Sequence, residues 1–274
     1  PKSFDIEALI QSLAGIEIIT EANQVSKLSQ DYHNFSPILT ERLAGKVADI
    51  VVRPRDKQQV LKVAAVCAKH RVPITVRGAG TGNYGQCVPL YGGVVLDMTR
   101  LRQIVWVKPG IARLEAGVKL EALNNSAREI GWEMRMVPST YRTATIGGFI
   151  AGGSGGIGSI NYGLLSDRGN ITALEVVTLE EEPQVIELRG EDVQKVNHAW
   201  GINGIITEVE IPLAPAYPWA ELIVAFDDFM TTVKFGKALA YADGIIKKEI
   251  GIFASPIPQY FNALKDYIPK NSHA

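Results

Sequence analysis

Glycines at 78, 80 and 82, with Thr81 and Asn83 beside them, are the residues of this chain best placed to hold an anion. Backbone without a Cβ takes positive φ and lets another molecule come close. Successive N–H groups in such a loop converge on phosphate oxygens. The loop follows the β-branched run Ile74-Thr75-Val76, which reads as a strand. After it come Tyr84 to Pro89 and the pair Gly92-Gly93, which argue against a helix. The order is GxGxG with no helix behind it, so the Rossmann fingerprint does not apply. No Gly-Lys-Ser/Thr is present, so the P-loop does not apply either. Alone, the loop is equally compatible with a phosphate nest and with a tight turn between strands.

A second glycine segment lies at residues 138–163, with seven glycines between Gly147 and Gly158. Each would cost about 1 kcal/mol relative to Ala in an ordinary helix. Two uses remain: close backbone packing against a flat ligand, or a glycine-rich structural loop. The interleaved Ile146, Phe149, Ile150, Ile157 and Ile160 argue against a free linker. Thr143 and Thr145 can present hydroxyls.

Other reactive side chains are sparse. Cys67 and Cys87 form no CxxC pair and read as free thiols in a reducing compartment. His33, His70, His198 and His273 have no metal-ligand spacing, so no metal site is expected. With 46% hydrophobic and 21% charged residues among 274, the composition is that of a globular protein. A formal net charge of −1 gives no case for a nucleic-acid or membrane-surface partner. No apolar stretch reaches the ~20 residues needed to span a bilayer. The N-terminus lacks a signal peptide's basic region and cleavage site, and its start at Pro1 suggests trimming. A cytoplasmic location is the default expectation.

These residues must be positioned by an alternation of short strands and helices. A helix is expected over 4–14, then a loop-rich arm over 16–45. Ala48 to Val52 reads as a strand, and Asp56 as the cap of a helix reaching His70. Further strands are expected at 93–98, 104–107 and 113–116, with a helix over 118–130 ended by Gly131. A hairpin is expected at 172–179 and 183–188, and a last strand at 204–212. Pro212, Pro215 and Pro218 read as a linker. Beyond it, strands at 220–226 and 250–254 alternate with helices at 229–242 and 259–267. The expected division is an N-terminal helix and arm (1–47), a main domain (48–215), and the incomplete start of a second domain (216–274).

Seven strings occur in the order of a known family: VVRPRDKQQV (51–60), RGAGTGN (77–83), VVLDMTRL (94–101), GVKLEAL (117–123), PSTYRTATIGGFIA (138–151), LEVVTLE (174–180) and GINGIITEVEI (201–211). Between Ala48 and Pro215 the chain resembles the FAD-binding domain shared by vanillyl-alcohol oxidase, para-cresol methylhydroxylase and the D-lactate/glycolate dehydrogenases. The resemblance is strongest to the branch that holds the flavin subunit of glycolate oxidase and the D-lactate dehydrogenases. It implies an α+β, two-subdomain FAD-binding domain of the para-cresol methylhydroxylase type, followed by a partial α/β cap or substrate domain. The dinucleotide would lie between the subdomains. Arg77, Gly78, Ala79, Gly80, Thr81, Gly82 and Asn83 would wrap its pyrophosphate. Pro138, Ser139, Thr145, Gly147 and Gly148 would line the flavin side, with Gly152, Gly153 and Gly156 completing that segment. Ile205 and Ile206 would touch the isoalloxazine or ribityl region through their backbone.

The chain departs from the family at three places. Asn83 stands where many covalent members carry a histidine, so the resemblance implies dissociable, non-covalent FAD. Gly152-Gly153-Ser154-Gly155-Gly156 replaces an asparagine-alanine-glycine-glycine string. The His-x-Gly-Asp-Gly-Asn string of the dehydrogenases' cap domain is absent. The activity implied is hydride transfer from a 2-hydroxy acid to flavin N5, which needs a base and a cation for the carboxylate. Arg142 and Arg168 are candidate cations. His198 is considered as a base, but none is assigned. Trp132 and Trp200 are expected in the core. Two alternatives remain. One is a non-catalytic FAD-binding subunit that needs a partner chain. The other is a nicotinamide-dependent reductase like the UDP-N-acetylenolpyruvoylglucosamine reductases.

Overall fold

Continuous apolar runs such as Ile50-Val51-Val52 and Val94-Val95-Leu96 suit strands covered on both faces, as in parallel sheets. In a computed structural model that describes residues 4–274, these two strands pair in parallel at the centre of a four-stranded sheet. The chain divides into two units, residues 1–156 with 164–216 and residues 157–163 with 217–274. Residues 1–3 of the N-terminal arm lie outside the described residues.

The first unit opens with α1 (Ile6–Ser12), capped by the Asp5 carboxylate. The expected loop-rich arm is instead structured, with β1 (Glu17–Ile19), α2 (Ala22–Leu28), a 3-10 turn at His33–Phe35 and α3 (Pro37–Leu43). Glu21 and Ser36 cap its two helices with side-chain acceptors. Both helices are only seven residues long. That is too short for a clear 3.6-residue pattern, so the sequence signal is weak.

Next come β2 (Ile50–Arg53), α4 (Lys57–His70), β3 (Ile74–Arg77) and β4 (Val94–Asp97). The first sheet runs β1-β2-β4-β3, antiparallel only at β1. Asp56 caps α4 as expected, accepting from Gln59 N at 2.9 Å. Period-two alternation sends Ile50, Val52, Val94 and Leu96 to a core shared with α1 and α4. Val51 and Val95 go to the opposite face, beneath Val25 of α2.

The second sheet is all antiparallel. It contains β5 (Ile104–Lys108), β6 (Ile111–Glu115), β8 (Ala173–Val177), β9 (Val185–Arg189) and β10 (Ile205–Pro215), in the order β5-β6-β10-β8-β9. A short β7 (Trp132–Met134), not expected from the sequence, pairs with the end of β10. Pro212 and Pro215 therefore belong to β10 and not to a linker. Between the strands lie α5 (Leu120–Glu129) and α6 (Ile146–Gly152). The two sheets share one core, since Val177 and Ile205 pack with the α1–α4 cluster. Lys57 of α4 also reaches Glu175 of β8 at 2.7 Å.

The second unit holds α7 (Ser159–Tyr162), α8 (Phe229–Ala240) and a 3-10 turn at Ile257–Tyr260. α8 matches the helix expected at 229–242. The strands expected at 220–226 and 250–254 do not form. Phe226 makes one isolated bridge to His273, and Phe253 pairs with Ala274 through two backbone bonds. The helix expected at 259–267 is a 3-10 turn followed by further turns. Strands need hydrogen-bonding neighbours, and this unit offers too little sheet to supply them.

Candidate dinucleotide-binding site

β3 ends at Arg77, and the chain then enters the first glycine loop. Gly78, Ala79, Gly80, Thr81, Gly82 and Asn83 all line one cavity of about 380 Å³, within the ~300–1,000 Å³ usual for small-molecule sites. No backbone N–H from Gly78 to Asn83 donates a hydrogen bond among the described residues. Gly78 to Gly82 are half-buried and Asn83 is exposed, so this run of free donors is open to an acceptor from outside. Gly78 permits the loop's close approach to the second glycine segment. A Cβ there would lie 2.2 Å from Thr145 Oγ1. Gly80 has φ of +69° and sits on the Arg77 guanidinium, which a Cβ would meet at 2.1 Å.

Arg77 itself does not line the cavity. It is buried beneath the loop, where it donates to the carbonyls of Gln30 and Ala79 and to Cys87 Sγ. None of these partners is a carboxylate, so a positive charge lies under the free N–H groups. The N-terminal arm holds the loop from the other side, with Tyr32 N donating to Gly82 O at 2.8 Å. That contact brings Asp31 to the cavity wall. Asp31 Oδ1 accepts from His33 N and pairs with His33 Nδ1, both at 2.9 Å. Its Oδ2 is buried without a partner. Nothing in the sequence flagged Asp31, because only the folded arm places it there.

The opposite wall comes from the second glycine segment. Pro138, Ser139, Thr145, Gly147, Gly148 and Gly152 line the cavity. The segment includes α6, although glycine disfavours helices. Its N–H groups are used internally: Ile146 N donates to Val118 O and Gly147 N to Ala116 O, both at 2.8 Å. Thr145 caps Gly148 N at 3.4 Å. Gly147 is needed because a Cβ would lie 2.7 Å from that of Ala116. Gly153 and Gly156 do not line the cavity. They pack against His198 and the Val137 carbonyl, where a Cβ would sit at 2.1 and 2.2 Å.

The third wall is the loop entering β10. Ile206 lines the cavity, whereas Ile205 belongs to the core. His198 and Trp200 line it as well, each with left-handed φ (+57° and +53°). For bulky residues such backbone is strained by about 1–3 kcal/mol each. Trp200 is 42% exposed, which overturns its expected place in the core. Trp132 is half-buried in β7. Arg142 and Arg168 are both outside the cavity wall. Arg142 lies exposed beside Tyr141, and Arg168 pairs with Glu191 on the surface. The titratable side chains lining the cavity are Asp31, Tyr84, Cys87 and His198, and no Lys or Arg lines it among the described residues. Burial pushes the Cys87 thiol up to about 11, with Arg77 opposing and Asp31 adding to the rise.

A loop of free N–H groups on a glycine-walled cavity suits the phosphates of a dinucleotide. Residues 48–186 match the model of the FAD binding domain. The chain belongs to this family. Its cofactor is FAD, and the residues present fit it: free amides and a buried guanidinium for the diphosphate, and small residues where ring systems approach. Among curated relatives, glycolate oxidase subunit GlcD of Escherichia coli (strain K12) is 30% identical over 87% of this chain and 48% of its own length. D-lactate dehydrogenase of Archaeoglobus fulgidus is 29% identical over 65% of this chain and 41% of its own. D-2-hydroxyglutarate dehydrogenase of Escherichia coli (strain K12) is 37% identical over 44% of this chain and 12% of its own. The chain thus spans about half the length of the first relative and less of the others. A solved alkyldihydroxyacetonephosphate synthase shares the fold, with TM-score 0.70 and 19% identity over 88% of this chain and 50% of that one. No described helix is long and apolar enough to cross a membrane. No group of three or more His, Cys, Asp or Glu among the described residues could hold a metal ion.

Proposed function

We propose that this chain is the flavin-holding part of an FAD-dependent oxidoreductase acting on small 2-hydroxy acids, of the D-lactate or glycolate kind. The observation that carries the reading is the run of unpaired N–H groups from Gly78 to Asn83 on one glycine-walled cavity. When bound, FAD supplies a hydride acceptor at its N5. The protein's part is binding and orientation. The free amides of 78–83 hold the diphosphate, with the Arg77 charge beneath them. Pro138, Ser139, Thr145, Gly147, Gly148, Gly152 and Ile206 form the wall against the flavin half. Gly153, Gly156 and Ile205 act behind that wall by packing. Asn83 offers no nucleophile where covalent members attach the flavin, so attachment through that loop is ruled out and we take FAD to be dissociable. We read residues 1–47 as a helix and arm that brace the first loop, 48–215 as the FAD-binding domain, and 216–274 as the start of a cap or substrate domain.

A second reading, a flavin-binding subunit completed by a partner chain, is favoured by one feature. A hydroxy acid's carboxylate needs a cation, and the described cavity wall carries no Lys or Arg. The relative at 30% identity is also, by its name, one subunit of an oxidase. The working location under either reading is the cytoplasm.

The visible spectrum of the purified chain, with FAD titration, tests cofactor binding. Anaerobic bleaching by D-lactate or glycolate is the expected result for the dehydrogenase. A protein that binds FAD but bleaches with neither acid fits the second reading. Bleaching by NADPH alone would replace both readings with a reductase.

A further inference from the structure

We propose that Trp200 stacks its indole on the isoalloxazine ring of the bound dinucleotide, which makes it a flavin-binding contact. The inference rests on the FAD reading above and adds a residue to it. Trp200 lines the cavity and is 42% exposed, so the fold gains little by burying it. Yet its backbone is fixed in the left-handed region, where a bulky residue is an outlier. Strain that the core does not need points to function.

The surroundings maintain the strain. His198 N donates to Ile150 O and Trp200 N to Ala151 O, both at 3.1 Å, so the loop is laced along the end of α6. Gly153 leaves room for His198, because a Cβ would meet the His198 Cβ at 2.1 Å. Gly201, with φ of +77°, lies over Val76, just ahead of the first glycine loop, where an added Cβ would sit 3.3 Å from the Val76 Cβ. The loop then passes through Gly204 to Ile206, which lines the same cavity. The indole is therefore held on the segment that forms the proposed flavin wall, and offset stacking on an aromatic ring is one of the arrangements such a side chain favours.

The test compares Trp200→Gly, Trp200→Leu and Trp200→Tyr with the parent chain. The readouts are titrations with FAD, FMN and ADP, bound-flavin fluorescence, and thermal unfolding of the flavin-free protein. An indole in contact with the ring quenches flavin emission. Removing it in Trp200→Gly or Trp200→Leu should brighten bound flavin several-fold and weaken FAD and FMN binding about tenfold. ADP binding should not change. Trp200→Tyr should restore most of both effects. Trp200→Gly should unfold no earlier than the parent, because glycine relieves the strained φ.

Unchanged flavin emission and affinity in Trp200→Gly, with earlier unfolding, would make Trp200 a structural plug and overturn the inference. Loss of ADP binding with FMN binding intact would place the indole on the adenine and overturn the assignment equally. If the parent chain binds no FAD at all, the underlying FAD reading fails instead.

Discussion

The two glycine-rich segments look alike in the sequence and do opposite work in the fold. In the first, Gly78 to Asn83 leave their N–H groups unpaired and face a cavity. In the second, the N–H groups of Ile146 and Gly147 are consumed by Ala116 and Val118, and Gly147, Gly153 and Gly156 serve to let other atoms in close. The first segment leaves free donors at the cavity, and the second supplies the facing wall while bringing a helix, a loop and a turn against one another. Glycine content alone therefore does not locate a binding loop. The destination of the backbone donors does.

Substitutions should separate the two roles. The largest effect is expected from Gly156→Ala, whose Cβ would lie 2.2 Å from the Val137 carbonyl oxygen, a backbone atom that cannot step aside alone. A stability loss of about 3 kcal/mol is expected by urea denaturation. A fully stable variant would end the packing half of the comparison. Gly82→Ala should behave differently, because its new Cβ meets only the mobile end of Gln86. Its stability should change by less than about 0.5 kcal/mol, while FAD affinity falls about 30-fold, or roughly 2 kcal/mol. Equal loss of stability in both variants would erase the distinction.

The thiols give a smaller, pH-dependent effect. Cys87 borders the first loop and Cys67 is on the buried face of α4. Burial raises them from 9.0 to about 11 and about 12. The folded state thus keeps protons that the unfolded chain releases. This stabilisation is complete below pH 9 and is lost as pH rises towards 11–12, about 1 kcal/mol per thiol by pH 10. Denaturation curves at pH 8 and 10 measure it. FAD should block thiol reagents at Cys87 and leave Cys67 unaffected.

The smallest change is expected from Asp31→Asn. The Oδ1 bonds to His33 can persist, while a negative charge beside the proposed diphosphate site disappears. FAD binding should tighten about threefold, with stability altered by less than ~1 kcal/mol. Weaker binding would mean that the unpartnered Oδ2 accepts a bond from the ligand.

Much of the first unit was legible in the chain. Periodicity and Asp56 marked α4, continuous apolar runs marked β2 and β4, and the turn at Glu180–Glu182 joined β8 to β9. The arm's elements were not legible, because α2 and α3 are only seven residues long, too short to show a clear helical period. α6 was not legible because its propensity is poor. Its helix survives on the Thr145 cap and on packing that only glycine permits.

The sequence by itself determined where the glycine loop lies, because glycine spacing after a strand is a local property of the backbone, and its resemblance to the FAD-binding family implied the cofactor. It also excluded a Rossmann helix. Only the tertiary structure decided which glycines face the cavity and which lie behind it. It also placed Asp31 on the wall, Arg77 beneath the loop, and Trp200 at the cavity instead of in the core. Those outcomes depend on contacts between residues far apart in the chain, and on where each backbone donor finds, or fails to find, its acceptor.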